Sequence, residues 1–193
     1  MRIIAGEFRG RKLLGPEGRQ TRPITDRVKQ SLFDILAPRI EGAVVYDCFA
    51  GTGSMGLECL SRGAAKVIFF ERDRSAVKRL RENIEVLGVN ERARVVTSDV
   101  FKGFSATESR PAEVGLADIV FVDPPYRFVV EESDNLRVLS EQIVMQMCAD
   151  AVVVFRHDAR DSLELPKLVR YDERTYGGMT LEFLRRSSAL PND

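Results

Sequence analysis

At 193 residues and 44% hydrophobic side chains, the chain has apolar material for a single core and reads as one domain, or one domain with a small appendage. No apolar run approaches membrane-spanning length, and no apolar stretch follows Met1-Arg2-Ile3-Ile4-Ala5-Gly6, which argues against a membrane or secreted protein. The formal net charge is zero, yet residues 1–39 carry nine Lys/Arg against four Asp/Glu while residues 40–193 carry twenty against twenty-five, so a basic arm sits on an acidic body and points to an anionic partner.

The first fifteen residues alternate loosely around Ile4 and Phe8 and suggest a short hairpin or extended arm, followed by a turn at Gly15-Pro16-Glu17-Gly18. Pro23 keeps Arg22 extended. Thr25 or Asp26 then caps a helix with Val28, Leu32, Ile35 and Leu36 as its apolar stripe, and Pro38 follows its end. From residue 43 strands and helices alternate. Strands are expected at Val44 to Cys48, Val67 to Phe70, Ala93 to Thr97, Asp118 to Val122 and Ala151 to Phe155. Helices are expected at Ser54 to Arg62, at Ser75 to Leu87 with Ala76, Leu80, Ile84 and Leu87 inward, and along the stripe Leu136, Leu139, Ile143 and Met147. A polar loop containing Pro111 and Gly115 precedes the fourth strand. Such alternation predicts an α/β fold with a parallel sheet covered on both faces. Two strand-like runs, Leu168 to Tyr176 and Met179 to Leu184, flank Gly177-Gly178, so the sheet should finish in an antiparallel hairpin.

Cys48, Cys59 and Cys148 have no metal-type spacing and read as packing residues in a reducing compartment. His157 is the single histidine; it follows the fifth strand and is read as structural, and no metal site is expected.

Chemistry concentrates at the strand ends. After the first strand comes Asp47-Cys48-Phe49-Ala50-Gly51-Thr52-Gly53-Ser54-Met55-Gly56, whose Gly51, Gly53 and Gly56 satisfy a dinucleotide fingerprint in its strand-to-helix context. Glu71 ends the second strand, where a carboxylate accepts hydrogen bonds from ribose hydroxyls, and Asp99 ends the third, placed for an adenine edge. This pattern fits an NAD-binding redox or regulatory module as well as an S-adenosylmethionine enzyme. Two features favour the methyl donor. Asp47 suits a cationic amino-acid tail, and no second substrate domain follows residue 126. The fourth strand ends in Asp123-Pro124-Pro125-Tyr126, a stiff turn at the carboxyl end of a strand. A carboxylate and a backbone carbonyl there can accept both N–H hydrogens of an exocyclic base amine and aim its lone pair, with Tyr126 stacked on the base. A base within structured nucleic acid would have to be turned out to reach it.

Phe49-Ala50-Gly51-Thr52-Gly53 and Asp123-Pro124-Pro125-Tyr126 resemble motifs I and IV of S-adenosylmethionine-dependent amino-methyltransferases. The turn alone is shared with DNA adenine-N6 methyltransferases, although no room for a target-recognition domain is available. Together with Arg9-Gly10-Arg11-Lys12-Leu13 and Thr21-Arg22-Pro23-Ile24-Thr25-Asp26-Arg27-Val28-Lys29, the chain is similar to the bacterial 16S rRNA guanine-N2 methyltransferase family over nearly its whole length. The resemblance implies a Rossmann-like seven-stranded class I methyltransferase sheet, with a basic arm and helix at 1–39, a methyltransferase domain at 40–186 and a flexible tail at 187–193. It implies contacts to S-adenosyl-L-methionine from Phe49, Ala50, Gly51, Thr52, Gly53, Glu71 and Asp99, and amine contacts from Asp123 to Tyr126. It further implies a cytoplasmic monomer acting on 16S rRNA in the assembled or assembling small ribosomal subunit. Arg9, Arg11, Lys12, Arg22 and Arg27 are the candidates for phosphate contacts around a flipped nucleotide.

Overall fold

The computed structural model describes residues 1–16, 24–104 and 115–187. Its centre is a seven-stranded sheet. β1 (Val44–Asp47), β2 (Lys66–Glu71), β3 (Ala93–Thr97), β4 (Ala117–Val122) and β5 (Met147–Asp158) run parallel, and β6 (Leu168–Tyr176) and β7 (Met179–Arg186) close it antiparallel. The order is β3-β2-β1-β4-β5-β7-β6, so the chain reverses direction across the sheet between β1 and β4. The expected parallel sheet with a terminal hairpin at Gly177-Gly178 is therefore what forms. Crevices outside the carboxyl ends of strands at such a reversal are where open α/β sheets bind ligands.

Among the described residues six α-helices accompany the sheet: α1 (Asp26–Leu36), α2 (Ser54–Ser61), α3 (Arg74–Leu87), α4 (Val100–Gly103), α5 (Phe128–Glu131) and α6 (Ser133–Val144). Thr25 is the cap of α1, its hydroxyl accepting the Val28 N–H at 3.4 Å. Several expectations shift. Met147 continues the α6 stripe by spacing, but the helix ends at Val144 and Met147 opens β5, because the chain turns at Met145 and Gln146. On α3 the buried position of the first turns is Val77, while Ala76 is only half-buried. His157 lies within β5, paired with Thr180 of β7, rather than after it. The short α4 and α5 were not expected, and the loop around Pro111 and the tail beyond Ser187 lie outside the described residues.

Strand alternation sorts the core into two layers. Tyr46, Ile68, Phe70, Val120, Val122, Val153 and Phe155 face α6 and Phe104. Val45, Val67, Phe69, Ile119, Phe121, Val152 and Val154 face the other layer, which includes α1, α2 and the arm. Phe33 of α1 packs on Phe121 with ring centroids 6.1 Å apart. Continuing the same alternation, Asp47, Glu71, Asp123 and Arg156 all project from this second face, at the ends of four strands.

The arm is a small hairpin, with an antiparallel bridge between Arg2 and Lys12 and with Ile3 and Leu13 buried. It is tied to α2 by a carboxylate that is fully buried. Glu58 accepts the Ile4 and Ala5 N–H groups at 2.9 and 3.0 Å, pairs with Lys29 Nζ of α1 at 2.9 Å and with Arg62 Nε at 2.9 Å. Burial pushes the Lys29 ammonium below its ordinary value, with Glu58 opposing. Burial also works against the Glu58 carboxylate, but Lys29, the arm amide and Arg62 hold it below the usual range. Gly6 makes the close approach possible: its φ is +82°, and a Cβ there would lie 1.8 Å from the Ser61 carbonyl oxygen. Asn83 of α3 reaches the arm's other end, accepting the Leu14 N–H at 2.8 Å and donating to the carbonyls of Leu14 (3.1 Å) and Thr52 (3.0 Å).

Removing one member of a buried ion pair strands its partner's charge, so Glu58→Gln is expected to destabilise the fold by about 3–5 kcal/mol in chemical denaturation. A loss under ~1 kcal/mol, the range of exposed pairs, would contradict the arm's anchoring by Glu58.

Candidate active site

The turn after β1 is held from several sides. Cys48 N–H donates to the Phe121 carbonyl and Ala50 N–H to the Phe70 carbonyl, each at 3.0 Å, so the turn is bonded to both neighbouring strands. Gly53 sits at φ +90° as the cap residue of α2. Ala50, Thr52 and Gly53 are buried, while Phe49 and Gly51 are half-exposed. The surface this turn offers is therefore backbone at Gly51 together with the Phe49 ring. Gly51 has φ +54°, and a Cβ added to it would meet nothing within 4 Å, so the backbone there borders open space that a ligand can approach closely.

Glu71 lies across from this turn. Its Oε2 accepts the Gly51 N–H at 2.8 Å and its Oε1 accepts the Asp73 N–H at 2.7 Å. Each carboxylate oxygen has a second lone pair, so hydroxyl donors can still be accepted. Asp99 caps α4 by accepting the Phe101 N–H at 3.2 Å and pairs with Arg72 Nη1 at 2.8 Å. Arg72 in turn lies 5.5 Å from the centroid of the Phe128 ring. Phe49, Phe101 and Phe128 form an aromatic cluster with centroids 5.7 to 6.4 Å apart, Phe49 edge-on to the other two rings. Phe101, Phe128 and Arg72 were not singled out from the sequence. For Phe101 the available signal was an aromatic residue two positions beyond a strand-end acid, Asp99, the spacing of Asp47 and Phe49; Arg72 and Phe128 left none.

Asp47 is placed differently from a carboxylate facing a ligand. It is 1% exposed, and its Oδ2 accepts the Gly56 N–H at 3.1 Å, fixing the start of α2 from behind the turn. Burial pushes its carboxyl up to about 7; the Gly56 amide opposes this, and the nearby Asp123 and Glu71 carboxylates add to it.

The Asp123-Pro124-Pro125-Tyr126 turn ends β4, and its chain starts α5 when the Pro125 and Tyr126 carbonyls accept the Phe128 and Val129 N–H groups at 2.8 and 3.1 Å. Asp123 Oδ1 accepts from Arg156 Nε at 2.5 Å. The Arg156 guanidinium lies 5.8 Å from the Tyr126 ring centroid. Burial pushes the Asp123 carboxyl above its ordinary value, and Arg156 opposes it. Arg156 sits on β5 beyond the Val122–Phe155 register pair and left no motif in the sequence.

The structure thus brings Asp47, Phe49–Gly53, Glu71, Asp99 and Asp123–Tyr126 together at one end of the sheet. Arg9, Arg11 and Lys12 lie exposed on the arm and Arg27 exposed on α1, none with an ion pair among the described residues. Arg22 lies outside the described residues. Tyr176 of β6 is joined to α1, its hydroxyl 2.6 Å from Ser31 Oγ.

A carboxyl titrating near 3.8 when unfolded and near 7 when folded stabilises the fold fully below the lower value, and the gain is lost as pH rises through the higher one. The melting temperature is expected to fall between about pH 4 and 7, the window bounded by the two values, and to fall less in Asp47→Asn, which keeps an acceptor for Gly56 but cannot ionise. Identical slopes for the two proteins over that window would place the ionisation elsewhere.

The family model described as Conserved hypothetical protein 95 matches residues 1–185. YlbH of Bacillus subtilis (strain 168), provisionally named an rRNA methyltransferase, is 36% identical over 181 residues, covering 92% of this chain and 94% of that protein. Ribosomal RNA small subunit methyltransferase D of Escherichia coli (strain K12) is 46% identical over 137 residues, covering 70% of this chain and 66% of that protein. The solved structure of Escherichia coli yhhF, provisionally named a methyltransferase, superposes with a TM-score of 0.81 at 34% identity, covering 97% of this chain and 98% of that one. With this coverage, and with a seven-stranded sheet of the class I order, the chain belongs to the Conserved hypothetical protein 95 family, the methyltransferase family that includes small subunit methyltransferase D and YlbH.

Proposed function

We propose that the protein transfers a methyl group from S-adenosyl-L-methionine to the exocyclic N2 amine of a guanine in 16S rRNA of the small ribosomal subunit. The observation that carries this reading is the juxtaposition of Asp123 with the glycine turn: two strand ends on either side of the β1–β4 reversal, their side chains on one face of the sheet. The donor would be held by the Gly51 backbone, by Phe49 and the aromatic cluster, and by Glu71 and Asp99. Open space beside a glycine in the left-handed region, flanked by two carboxylates with spare lone pairs, fits an adenosine with its hydroxyls and amine. When bound, S-adenosylmethionine supplies an electrophilic methyl on a sulfonium.

The chain's own contribution is positioning. A base amine is a poor nucleophile because its lone pair is delocalised into the ring. Asp123 Oδ2 and the Pro124 carbonyl accept its two N–H hydrogens, which turns the lone pair toward the incoming methyl. The amine nitrogen becomes acidic as the new bond forms, so no strong base is required, and the carboxylate stabilises the positive charge that develops. Pro125 stiffens the turn, and Tyr126 stacks on the base, worth about 1–3 kcal/mol in comparable sites. Asp47 works from behind, holding the glycine turn against α2 and adding to the negative potential around the donor's cationic end.

Arg9, Arg11, Lys12 and Arg27 supply phosphate contacts on the face where the arm and α1 flank the site. A base in structured RNA, as in an assembled or assembling subunit, would be turned out to reach the strand ends while the arm holds the backbone. The protein is read as a cytoplasmic enzyme working as a monomer. The relatives named for rRNA favour this target over a DNA adenine.

Calorimetric titration is expected to show binding of S-adenosylmethionine in preference to NAD; the reverse preference would sink the reading. Asp123→Ala should keep donor affinity yet lose methyl transfer by about 100-fold or more, as expected when a positioning contact to the reacting group is removed. Retained turnover would remove Asp123 from the chemistry. Reversing Arg9 and Arg11 to Glu should weaken subunit binding and flatten its dependence on log salt by about 0.7–0.9 per lost phosphate contact, whereas an unchanged slope would make the arm structural only.

A further inference from the structure

Arg156 has no role in the reaction as described so far, yet it touches both residues assigned to the amine. Its Nε–H donates to Asp123 Oδ1 at 2.5 Å, its guanidinium lies 5.8 Å from the Tyr126 centroid, and its Nη1 is 3.6 Å from Met179 Sδ of β7. The pair is largely shielded, with side-chain exposures of 13% for Arg156 and 16% for Asp123. β7 thus seats Arg156 from one side while Asp123 and Tyr126 lie on the other. We propose that Arg156 is a positioning residue for methyl transfer, fixing one oxygen of Asp123 and restraining the Tyr126 ring so that the other carboxylate oxygen is presented to the amine-bearing base. This rests on the assignment of Asp123 and Tyr126 made above.

An exocyclic amine offers two N–H donors and needs acceptors. An ionised carboxylate is acceptor-only, whereas a protonated one carries a donor that would confront the amine. Asp123 stands close to Asp47 on β1, which itself neighbours Glu71 at the end of β2, and it is withdrawn from water, which favours its neutral form. Arg156 on β5 is the cation that faces it. A guanidinium is permanently charged and planar, so it both holds the proton off and sets the plane of the carboxylate. By bonding through Nε to Oδ1 it leaves the lone pairs of Oδ2 for another donor. Its cationic contact with Tyr126 restrains the ring. A pair this shielded adds little to stability on its own, and its place at the reacting end of the sheet accords with a role in geometry.

The test compares the wild-type enzyme with Arg156→Met and Arg156→Lys on small subunits. Four quantities are read: kcat, KM, the pH profile of kcat, and donor affinity by calorimetry without RNA. In Arg156→Met, kcat should fall by about 10–100-fold, since a misplaced contact of this kind can cost two orders of magnitude. Donor affinity should stay within about twofold, and the acid limb of the kcat profile should move to higher pH as Asp123 holds its proton longer. Arg156→Lys should return the limb toward its wild-type position but recover only part of kcat, because an ammonium restores charge without the planar fork. Wild-type kcat and an unmoved limb in Arg156→Met would overturn the proposal, as would equal losses in both variants with the limb unmoved. If Arg156→Met does not fold, Arg156→Gln takes its place under the same criteria, and failure of both neutral variants to fold would make Arg156 a folding residue and overturn the proposal. A wild-type enzyme that methylates no small subunit would instead refute the assignment of the reaction.

Discussion

One buried carboxylate, Glu58, decides how the chain is put together. It sits in a helix whose residues from Met55 to Ser61 are all buried, a place where an isolated charge is not tolerated. It is satisfied only because two arm amides, an ammonium from α1 and a guanidinium from its own helix converge on it. A buried ionic cluster of this kind adds little net stability compared with apolar packing, but it is intolerant of rearrangement. Its effect is to fix the arm and α1 over one face of the sheet. Gly6 admits the close backbone contact, and Asn83 carries the same connection to Thr52 in the glycine turn. The basic arm is therefore bonded, through one asparagine, to the loop proposed to hold the methyl donor.

The second constraint is electrostatic. Asp47, Glu71 and Asp123 share one face at adjacent strand ends, and water is largely excluded from Asp47 and Asp123. Burial pushes the Asp47 carboxyl up to about 7, and the neighbouring Asp123 and Glu71 carboxylates add to the push. A cationic sulfonium would relieve that repulsion, and Arg156 already opposes the effect of burial on Asp123. The carboxylates thus favour a positively charged ligand, in keeping with the proposed methyl donor.

Much of the architecture is legible in the sequence because it depends on local patterns. Alternation of apolar runs marks each strand, Gly177-Gly178 marks the hairpin, and Thr25 marks the start of α1. The strand-end acids are legible because the fold repeats one rule at the end of every parallel strand. What escaped is of two kinds. Met147 escaped because it keeps helical spacing from Ile143 with no Pro or Gly between, and only the burial of Gln146, whose amide donates to the Phe104 carbonyl at 2.9 Å, shows why the chain turns first. Glu58, Asn83, Arg72 and Arg156 escaped because their meaning lies in partners 27 to 69 residues away, a distance at which a single sequence carries no pattern. The same holds for Asp47, legible as a strand-end acid but not as the group that holds α2 from behind.

The assignment of the reaction is tested most directly by incubating the purified protein and methyl-labelled S-adenosylmethionine with small ribosomal subunits from a strain lacking the homologous enzyme, then mapping the modified nucleotide. The account predicts label at the N2 position of one guanine in 16S rRNA. Label on an adenine, label spread over many sites, or no incorporation into small subunits would contradict it.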